Sequence, residues 1–512
     1  MLAKVISQAV FGVEPYQVMV EVDADKASTK PSWITVGLAE GAVRESRERV
    51  QAALKNSGYY HPMLAVTVNL APADIRKEDV ALDLPIAVGL LTALEHGTCD
   101  RLSEYGIVGE LGLDGQVKSI NGSLPLAIGV RQSGLKGFIV PKENAQEAAV
   151  VEGIEIIAVE TLRETMEFLS GEREIKPHRA SLESRFEESQ TAEVDFQEVR
   201  GQESAKRALE VAAAGGHNVL MVGPPGSGKT MLAKRFPTIL PVMTLEEAIE
   251  ATKIHSIAGL TNSHRALVGT RPFRSPHHTV SNIALVGGGT VPKPGEVSLA
   301  HHGVLFLDEM PEFQRSVLEV LRQPLEDGIV TISRAAMTLT FPARFVLCGA
   351  MNPCPCGYLT DPSKHCTCGE QDIKRYLARL SGPLLDRIDL HIDVPAVKIQ
   401  ELAGDGSGET SDQIRERVNR ARAIQTERFK GRRGIFCNAH MMPRDIKKYC
   451  TLGAEAQQLL EQAMESIGLS ARAYHRILKV ARTIADIESA DSILPNHIGE
   501  AVQYRTLDRK LW

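Results

Sequence analysis

Two groups of residues in the chain have types and spacings suited to one reaction. Gly223-Pro224-Pro225-Gly226-Ser227-Gly228-Lys229-Thr230 follows the apolar run Asn218–Val222 and precedes a segment of helical pattern. This is G-x-x-x-x-G-K-[ST] in its strand–turn–helix setting. Its glycines let successive N–H groups converge on phosphate oxygens, and the helix that follows adds its positive end. Lys229 is then placed for the β- and γ-phosphates, and the Thr230 hydroxyl for Mg²⁺. About 80 residues on, the apolar run Val304–Leu307 ends in Asp308 and Glu309. At the carboxyl end of a strand, Asp308 can hold Mg²⁺ through water and Glu309 can polarise an attacking water. Taken singly, the two motifs are also compatible with a glycine turn and a solvated acidic turn. In this order they point to hydrolysis of a nucleoside triphosphate with Mg²⁺.

A third cluster is Cys354-Pro-Cys356 and Cys366-Thr-Cys368, half of the eight cysteines of the chain. Four soft thiolates suit tetrahedral Zn²⁺, with His365 as an alternative ligand, although C-x-C is tighter than the usual C-x₂-C. Reduced loop thiols and a redox pair are the other readings. Cys99, Cys348, Cys437 and Cys450 are scattered and read as buried small apolar residues. The pairs His277–His278 and His301–His302 have no further ligand at metal spacing in sequence and read as polar loop histidines.

These residues need a scaffold, and the chain length suggests roughly three domains. Residues 1–170 alternate strand and helix patterns: strands at 16–22, 34–36 and 65–70, helices at 41–57 and 84–94, a hairpin over 106–120, and strands at 135–140 and 154–158. A polar, charge-mixed linker is expected at 171–196. Residues 197–395 have the pattern of a sheet with helices on both faces, and 396–512 is helical after a Gly/Ser-rich loop at 404–411. The fold class is therefore α/β. Hydrophobic residues make up 43% and charged residues 24%, as in a globular protein. No apolar run approaches the roughly 20 residues that span a bilayer, and the first residues read as no signal peptide. A cytoplasmic protein without membrane partners is the expectation. The net charge of −6 excludes a globally basic surface but not a cationic channel.

The ordered set GPPGSGKT, VLFLDEM, CGAMNPCPCG, SGPLLDRIDL and SARAYHRILKVARTIAD resembles the magnesium-chelatase-like branch of the AAA+ ATPases, and within it the ComM/YifB family. The resemblance covers essentially the whole chain. It implies an AAA+ P-loop core, a carboxy-terminal helical lid, use of ATP and Mg²⁺, and a hexameric ring. It gives Asn352 the sensor-1 role of positioning the lytic water and Arg387 the role of an arginine finger supplied by a neighbouring subunit. Arg472 matches the sensor-2 position, with Arg476 as the competitor. A guanidinium suits this work because it neutralises charge on the transferring phosphoryl group. The segment 328–345 resembles the pre-sensor hairpin of the MCM helicases, with Arg334 at its tip placed for a DNA phosphate. The glycine-rich segment 283–295 fits the helix-2 insert. An ordinary hairpin and a surface loop are the plainer alternatives.

The amino-terminal domain is similar to the proteolytic domain of Lon protease, a ribosomal S5 domain 2-like fold. That chemistry needs a nucleophilic Ser beside a Lys. The matching positions hold Asp83 and Leu126, so the resemblance implies a fold kept without its dyad; Ser119, Ser123 and nearby Lys118 could in principle rebuild one. The family resemblance implies a DNA motor, a helicase driving branch migration on single-stranded or branched DNA during natural transformation. The basic run 415–434 suits this, and equally a solvated helix face. The alternatives are a chelatase-like motor acting on a protein partner and an ATP-dependent protease.

Overall fold

The computed structural model describes residues 1–512 apart from 26–30, 39–41, 60–64, 76, 78–79, 97–98, 180–193, 262–265, 290–291, 335–336, 362–363, 397–407, 433, 469–470, 506 and 508–512. Two compact units account for the chain. One is Met1–Ser189 with Ala248–Gly269; the other is Gln190–Glu247 with Thr270–Trp512. Most of the expected linker, and half of the loop at 404–411, lie outside the described residues.

The first unit opens with a strand absent from the sequence reading. β1 (Leu2–Phe11) pairs antiparallel with β2 (Glu14–Asp25) from Leu2↔Asp23 to Phe11↔Glu14. β3 (Ser32–Val36), helix α1 (Ala42–Asn56) and β4 (Ala65–Ala71) follow, in the sheet order β1-β2-β4-β3. The alternation Val18, Val20, Val22, Ala24 is buried along β2, as period-2 patterning demands. Helix α2 (Asp83–Ala93) is almost wholly buried and lies on that face. A Cβ at its Gly89 would stand 2.7 Å from Val22 Cγ2, so only glycine permits the approach.

A second sheet is parallel, in the order β5 (Tyr105–Ile107), β6 (Gly137–Pro141), β7 (Glu155–Val159), with helix α3 (Ser123–Gln132) between its first two strands. The expected hairpin at 106–120 shrinks to Glu110–Leu111 against Val117–Lys118, because β5 belongs to this other sheet.

Residues 248–269, read in sequence as part of the ATPase core, are built into the first unit. Ile249 and Leu267 pack on its apolar cluster around Leu124, Val130 and Val140. Glu147, 5% exposed, accepts from Leu124 N at 2.9 Å, Thr261 Oγ1 at 2.8 Å and Ser256 Oγ.

The second unit is a five-stranded parallel sheet. Its strands are β8 (Val219–Val222), β9 (Phe273–Arg274), β10 (Val304–Leu307), β13 (Val346–Met351) and β14 (Leu390–Asp393), in the order β9-β10-β13-β8-β14. Between β10 and β13 stand β11 (Ile329–Arg334) and β12 (Met337–Pro342), an antiparallel hairpin ending at the pair Arg334↔Met337. The Arg334 side chain and the two alanines of the turn lie outside the described residues. In the glycine-rich insert, Gly287–Gly288 pairs with Lys293–Pro294.

Helices α4 (Glu203–Gly215) and α5 (Lys229–Ile239) flank the sheet. The carboxy-terminal helices α6 (Ser411–Arg428), α7 (Pro443–Tyr449), α8 (Ala454–Ile467), α9 (Ala471–Ile487) and α10 (Pro495–Gln503) follow. α6 starts at a Thr410/Gln413 capping box and buries Ile414, Val418, Ala421 and Gln425 at helical spacing. Ile414, Val418 and Ala421 join one continuous core running from Phe196 to Tyr504. The expected division near 395 is therefore not a break between compact units: lid and sheet bury their apolar faces on each other. Among the described residues no helix is long and apolar enough to cross a membrane.

Candidate nucleotide site

The carboxyl ends of β8, β10 and β13 come together because the strands run parallel in close register, Val222 beside Met351 and Leu307 beside Gly349. The loop 223–228 leaves β8 there. Gly223 is forced: a Cβ would fall 2.1 Å from Val394 O. Gly226 and Gly228 hold left-handed φ of 77° and 90°, and both face open space. α5 begins without a side-chain cap, so its first N–H groups remain free to meet an anion.

Lys229, 8% exposed, turns its Nζ onto Gly223 O at 2.7 Å, Pro224 O at 2.9 Å and Asn352 Oδ1 at 3.3 Å. Burial holds its pKa below the usual lysine value, with Asp308 and Glu309 opposing. Thr230 Oγ1 donates to Asp308 Oδ2 at 2.7 Å, and Asp308 Oδ1 accepts from Glu309 N at 2.9 Å. The two groups expected on Mg²⁺ are thus already side by side, and a hydroxyl paired with a carboxylate is an oxygen donor set that suits it. Glu309 sits at a left-handed φ of 50° with its side chain 60% exposed, presenting a carboxylate just beyond the strand. Asn352 follows β13 directly. Lys229, Thr230, Asp308, Glu309 and Asn352 therefore converge with Pro224, Pro225 and Ser227 of the loop.

Two neighbours were not expected at this site: His278 reads in sequence as a polar loop histidine, and Gln202 carries no signal. His278 Nδ1 lies 3.9 Å from Glu309 Oε2, and Gln202 Nε2 donates to Ser227 O at 3.3 Å and Pro395 O at 2.5 Å. His301 and His302 are occupied elsewhere: His301 Nδ1 accepts from Arg344 N at 3.0 Å, and His302 Nδ1 is 3.7 Å from Glu247.

The expected arginines stand at the other end of the sheet. Arg387 precedes β14, and its carbonyl accepts from Nδ2 of Asn218, the residue before β8, at 2.9 Å. Its guanidinium meets Pro383 O at 2.7 Å and Glu326, while its Nε is buried with no hydrogen-bond partner. Arg472 and Arg476 line the same cleft, about 980 Å³ in volume, with Arg344, Arg432 and Lys479. Arg472 is 68% exposed and lies 3.4 Å from Asp386. Arg476 is 15% exposed and pinned between Asp389 and Ile388 O. Asp389 also receives His217 Nδ1 at 3.3 Å, and its carboxyl lies well below the usual range; burial pushes it up, but His217, Arg476 and Lys479 prevail.

The cysteines form a compact set. Sγ separations are 3.4 Å for Cys354–Cys356, 3.7 Å for Cys354–Cys366 and 3.6 Å for Cys356–Cys366, and all four sulfurs lie within 4.8 Å of one another. Cys356 N donates to Cys368 Sγ at 3.3 Å, the kind of N–H contact that stabilises a thiolate.

In the amino-terminal unit, Asp83 is 1% exposed at the start of α2 and takes a bidentate pair from Arg49 at 2.6 and 3.0 Å. Leu126 is fully buried, Lys118 and Ser119 are exposed, and Ser123 Oγ is buried without a partner.

A G-x-x-x-x-G-K-T loop at the switch point of a parallel sheet, with two carboxylates at the end of the next strand but one, is the arrangement of a P-loop ATPase. Its class is set by comparison: the model for magnesium chelatase subunit ChlI matches residues 195–402, that for subunit ChlI of Mg-chelatase 20–144, and that for the ChlI carboxy-terminal region 408–505. Competence protein ComM of Haemophilus influenzae is 46% identical over 514 residues, covering 100% of this chain and 98% of the relative. The uncharacterized protein YifB of Escherichia coli is 44% identical over 512 residues, with the same coverage. The magnesium-chelatase 38 kDa subunit of Cereibacter sphaeroides is 25% identical over 177 residues, or 31% of this chain and 52% of its own. The chain belongs to the ComM/YifB family of magnesium-chelatase-like AAA+ ATPases, and the family implies use of ATP and Mg²⁺.

Proposed function

We propose that the protein is a ring-forming DNA motor, a hexamer that hydrolyses ATP at subunit junctions and drives unwinding or branch migration of recombination intermediates. The observation that carries this reading is the placement of the phosphate loop and Arg387 at opposite ends of the same strands. Each subunit has a nucleotide site it cannot complete with its own Arg387, and an arginine its own site cannot use. A closed ring joins the two at every junction.

Within a site, Lys229 exchanges its loop carbonyls for the β- and γ-phosphates, and Glu309 with Asn352 orients the attacking water. Mg²⁺ held through Thr230 and Asp308 supplies neutralisation of phosphate charge. Arg387 of the adjacent subunit stabilises charge on the transferring group. Arg472, exposed on the same cleft, is the better second arginine, since Arg476 is held by Asp389.

The hairpin β11–β12 brings Arg334 to its end, where a DNA phosphate can be met as the ring works. The relative named a competence protein supports a part in natural transformation, and a cytoplasmic location accords with that. The four cysteines are read as a structural Zn²⁺ site, their number, softness and spacing suiting a closed tetrahedral shell. The amino-terminal unit serves as a scaffold without peptidase activity.

A second reading, a motor acting on a protein partner as a magnesium chelatase does, draws on the three ChlI models that match the chain. Strand displacement on forked DNA by the purified protein, with Lys229→Ala as control, separates the two. ATP-dependent unwinding supports the first reading. ATP hydrolysis indifferent to DNA, with no unwinding, leaves the second.

A further inference from the structure

The cysteine cluster and the phosphate loop are in contact. The chain runs from β13 through Asn352 into Cys354–Gly357, a turn closed by Gly357 N donating to Cys354 O at 3.0 Å. Gly357 has a left-handed φ of 85°, and a Cβ there would lie 2.5 Å from Pro225 Cδ and 3.7 Å from Asn352 Cγ. The cysteine turn therefore rests directly on Pro225 of the phosphate loop, and only a glycine allows the approach.

Two residues before this turn stands Asn352, whose Oδ1 accepts from Lys229 Nζ at 3.3 Å. Cys354 is fully buried beneath it. Tyr376, 7% exposed, packs close to both Asn352 and Cys354. Two features of the nucleotide site, the proline of its loop and its sensor asparagine, are thus backed by the segment that the four sulfurs close.

We propose that Zn²⁺ at Cys354, Cys356, Cys366 and Cys368 is a clamp on the phosphate loop, so that metal occupancy and nucleotide binding are thermodynamically coupled. This rests on the zinc reading given above and adds to it a partner site. Four thiolates tie residues 354–356 to 366–368, fixing the turn that presses on Pro225 and aims Asn352. A nucleotide that orders the loop reduces the freedom the turn needs to open and release metal. By reciprocity, a metal that fixes the turn prepares the loop for nucleotide.

The test uses the purified full-length chain. Metal content is measured by elemental mass spectrometry, and the rate of Zn²⁺ transfer to a zinc-selective chromogenic chelator is followed with and without a non-hydrolysable ATP analogue and Mg²⁺. One Zn²⁺ per chain is expected, with transfer slowed about 5-fold or more by the analogue, the lower end of typical coupling. Lys229→Ala should keep the metal but lose the slowing. Gly357→Ala, checked for metal content and melting, should bind metal and show weakened coupling.

If no stoichiometric metal is found, the zinc reading falls and this inference with it. If one Zn²⁺ is bound but leaves equally fast with and without the analogue, the coupling is overturned while the zinc site stands. Slowing that persists in Lys229→Ala would also overturn it, since the effect would not come from the nucleotide site.

Discussion

Mixing two inactive variants tests the division of labour between the two ends of the sheet. β8 and β14 have four residues each, so about 13 Å of strand lies between the phosphate loop and the cleft that holds Arg387. Arg387→Ala keeps an intact phosphate loop and removes the donated guanidinium, a change worth about 10³-fold or more in turnover where an arginine finger acts. Lys229→Ala keeps Arg387 and disables the loop. Each variant alone should be close to inactive. In a randomly mixed 1:1 ring, a junction works when an Arg387→Ala subunit supplies the loop and a Lys229→Ala subunit supplies the arginine. That combination occurs at about one quarter of junctions, so ATPase activity should recover to about one quarter of the wild-type rate. A coupled phosphate-release assay reads this, with native mass spectrometry showing that subunits have exchanged. Were Arg387 to serve its own loop, every mixed subunit would lack one of the pair. Background activity in fully exchanged rings would refute the reasoning.

Glu309→Gln should bind ATP with near wild-type affinity while hydrolysis falls by about 10²-fold or more, read by fluorescent-nucleotide titration beside turnover. Arg49→Ala strands the Asp83 carboxylate, which burial already pushes up to about 6 despite Arg49, and should destabilise the amino-terminal unit by about 3–5 kcal/mol, measured by denaturant unfolding. Asp486, fully buried, receives Arg428 at 2.7 and 2.5 Å, Arg482 at 3.0 Å and Asn438 at 2.8 Å. Asp486→Ala takes the carboxylate from two largely buried guanidinium groups, leaving Arg428 only Asn438 Oδ1 and Arg482 only the carbonyls of Ala490 and Asp491, and should lower stability by a similar amount, about 3–5 kcal/mol, read by calorimetry. Asp389 has a folded pKa below its unfolded value, so its contribution is present above about pH 4 and is lost as the pH falls further. The melting-temperature gap between wild type and Asp389→Asn should hold steady from pH 7 to 5 and narrow toward pH 3.

Much of the nucleotide site was legible because its chemistry is local in sequence. A phosphate loop is eight consecutive residues, and Asp308 and Glu309 sit at the end of an uninterrupted apolar run. The helices from 454 onward were equally clear from their spacing. β1 was missed because Lys4, Ser7 and Gln8 interrupt its apolar pattern, although Ser7 and Gln8 are buried, Ser7 Oγ donating to Ile107 O at 2.8 Å. That partner is distant in sequence, so no local pattern reveals it. The position of Arg387 at the amino edge of the sheet was likewise illegible, being a consequence of strand order. The same holds for residues 248–269, whose apolar positions suit either core and were claimed by the one that Ile249 and Leu267 join.

That segment changes how the polypeptide can be made. Residues 1–189 are synthesised before the rest of their unit, which is short of a piece until Gly269 has left the ribosome, by which time the whole phosphate loop has been synthesised. A gene truncated after Ser189 encodes an unfinished body, its Glu147 carboxylate deprived of Ser256 and Thr261. The first unit therefore cannot be completed until Gln190–Glu247 of the second has been made, although the larger part of the second, Thr270–Trp512, follows it.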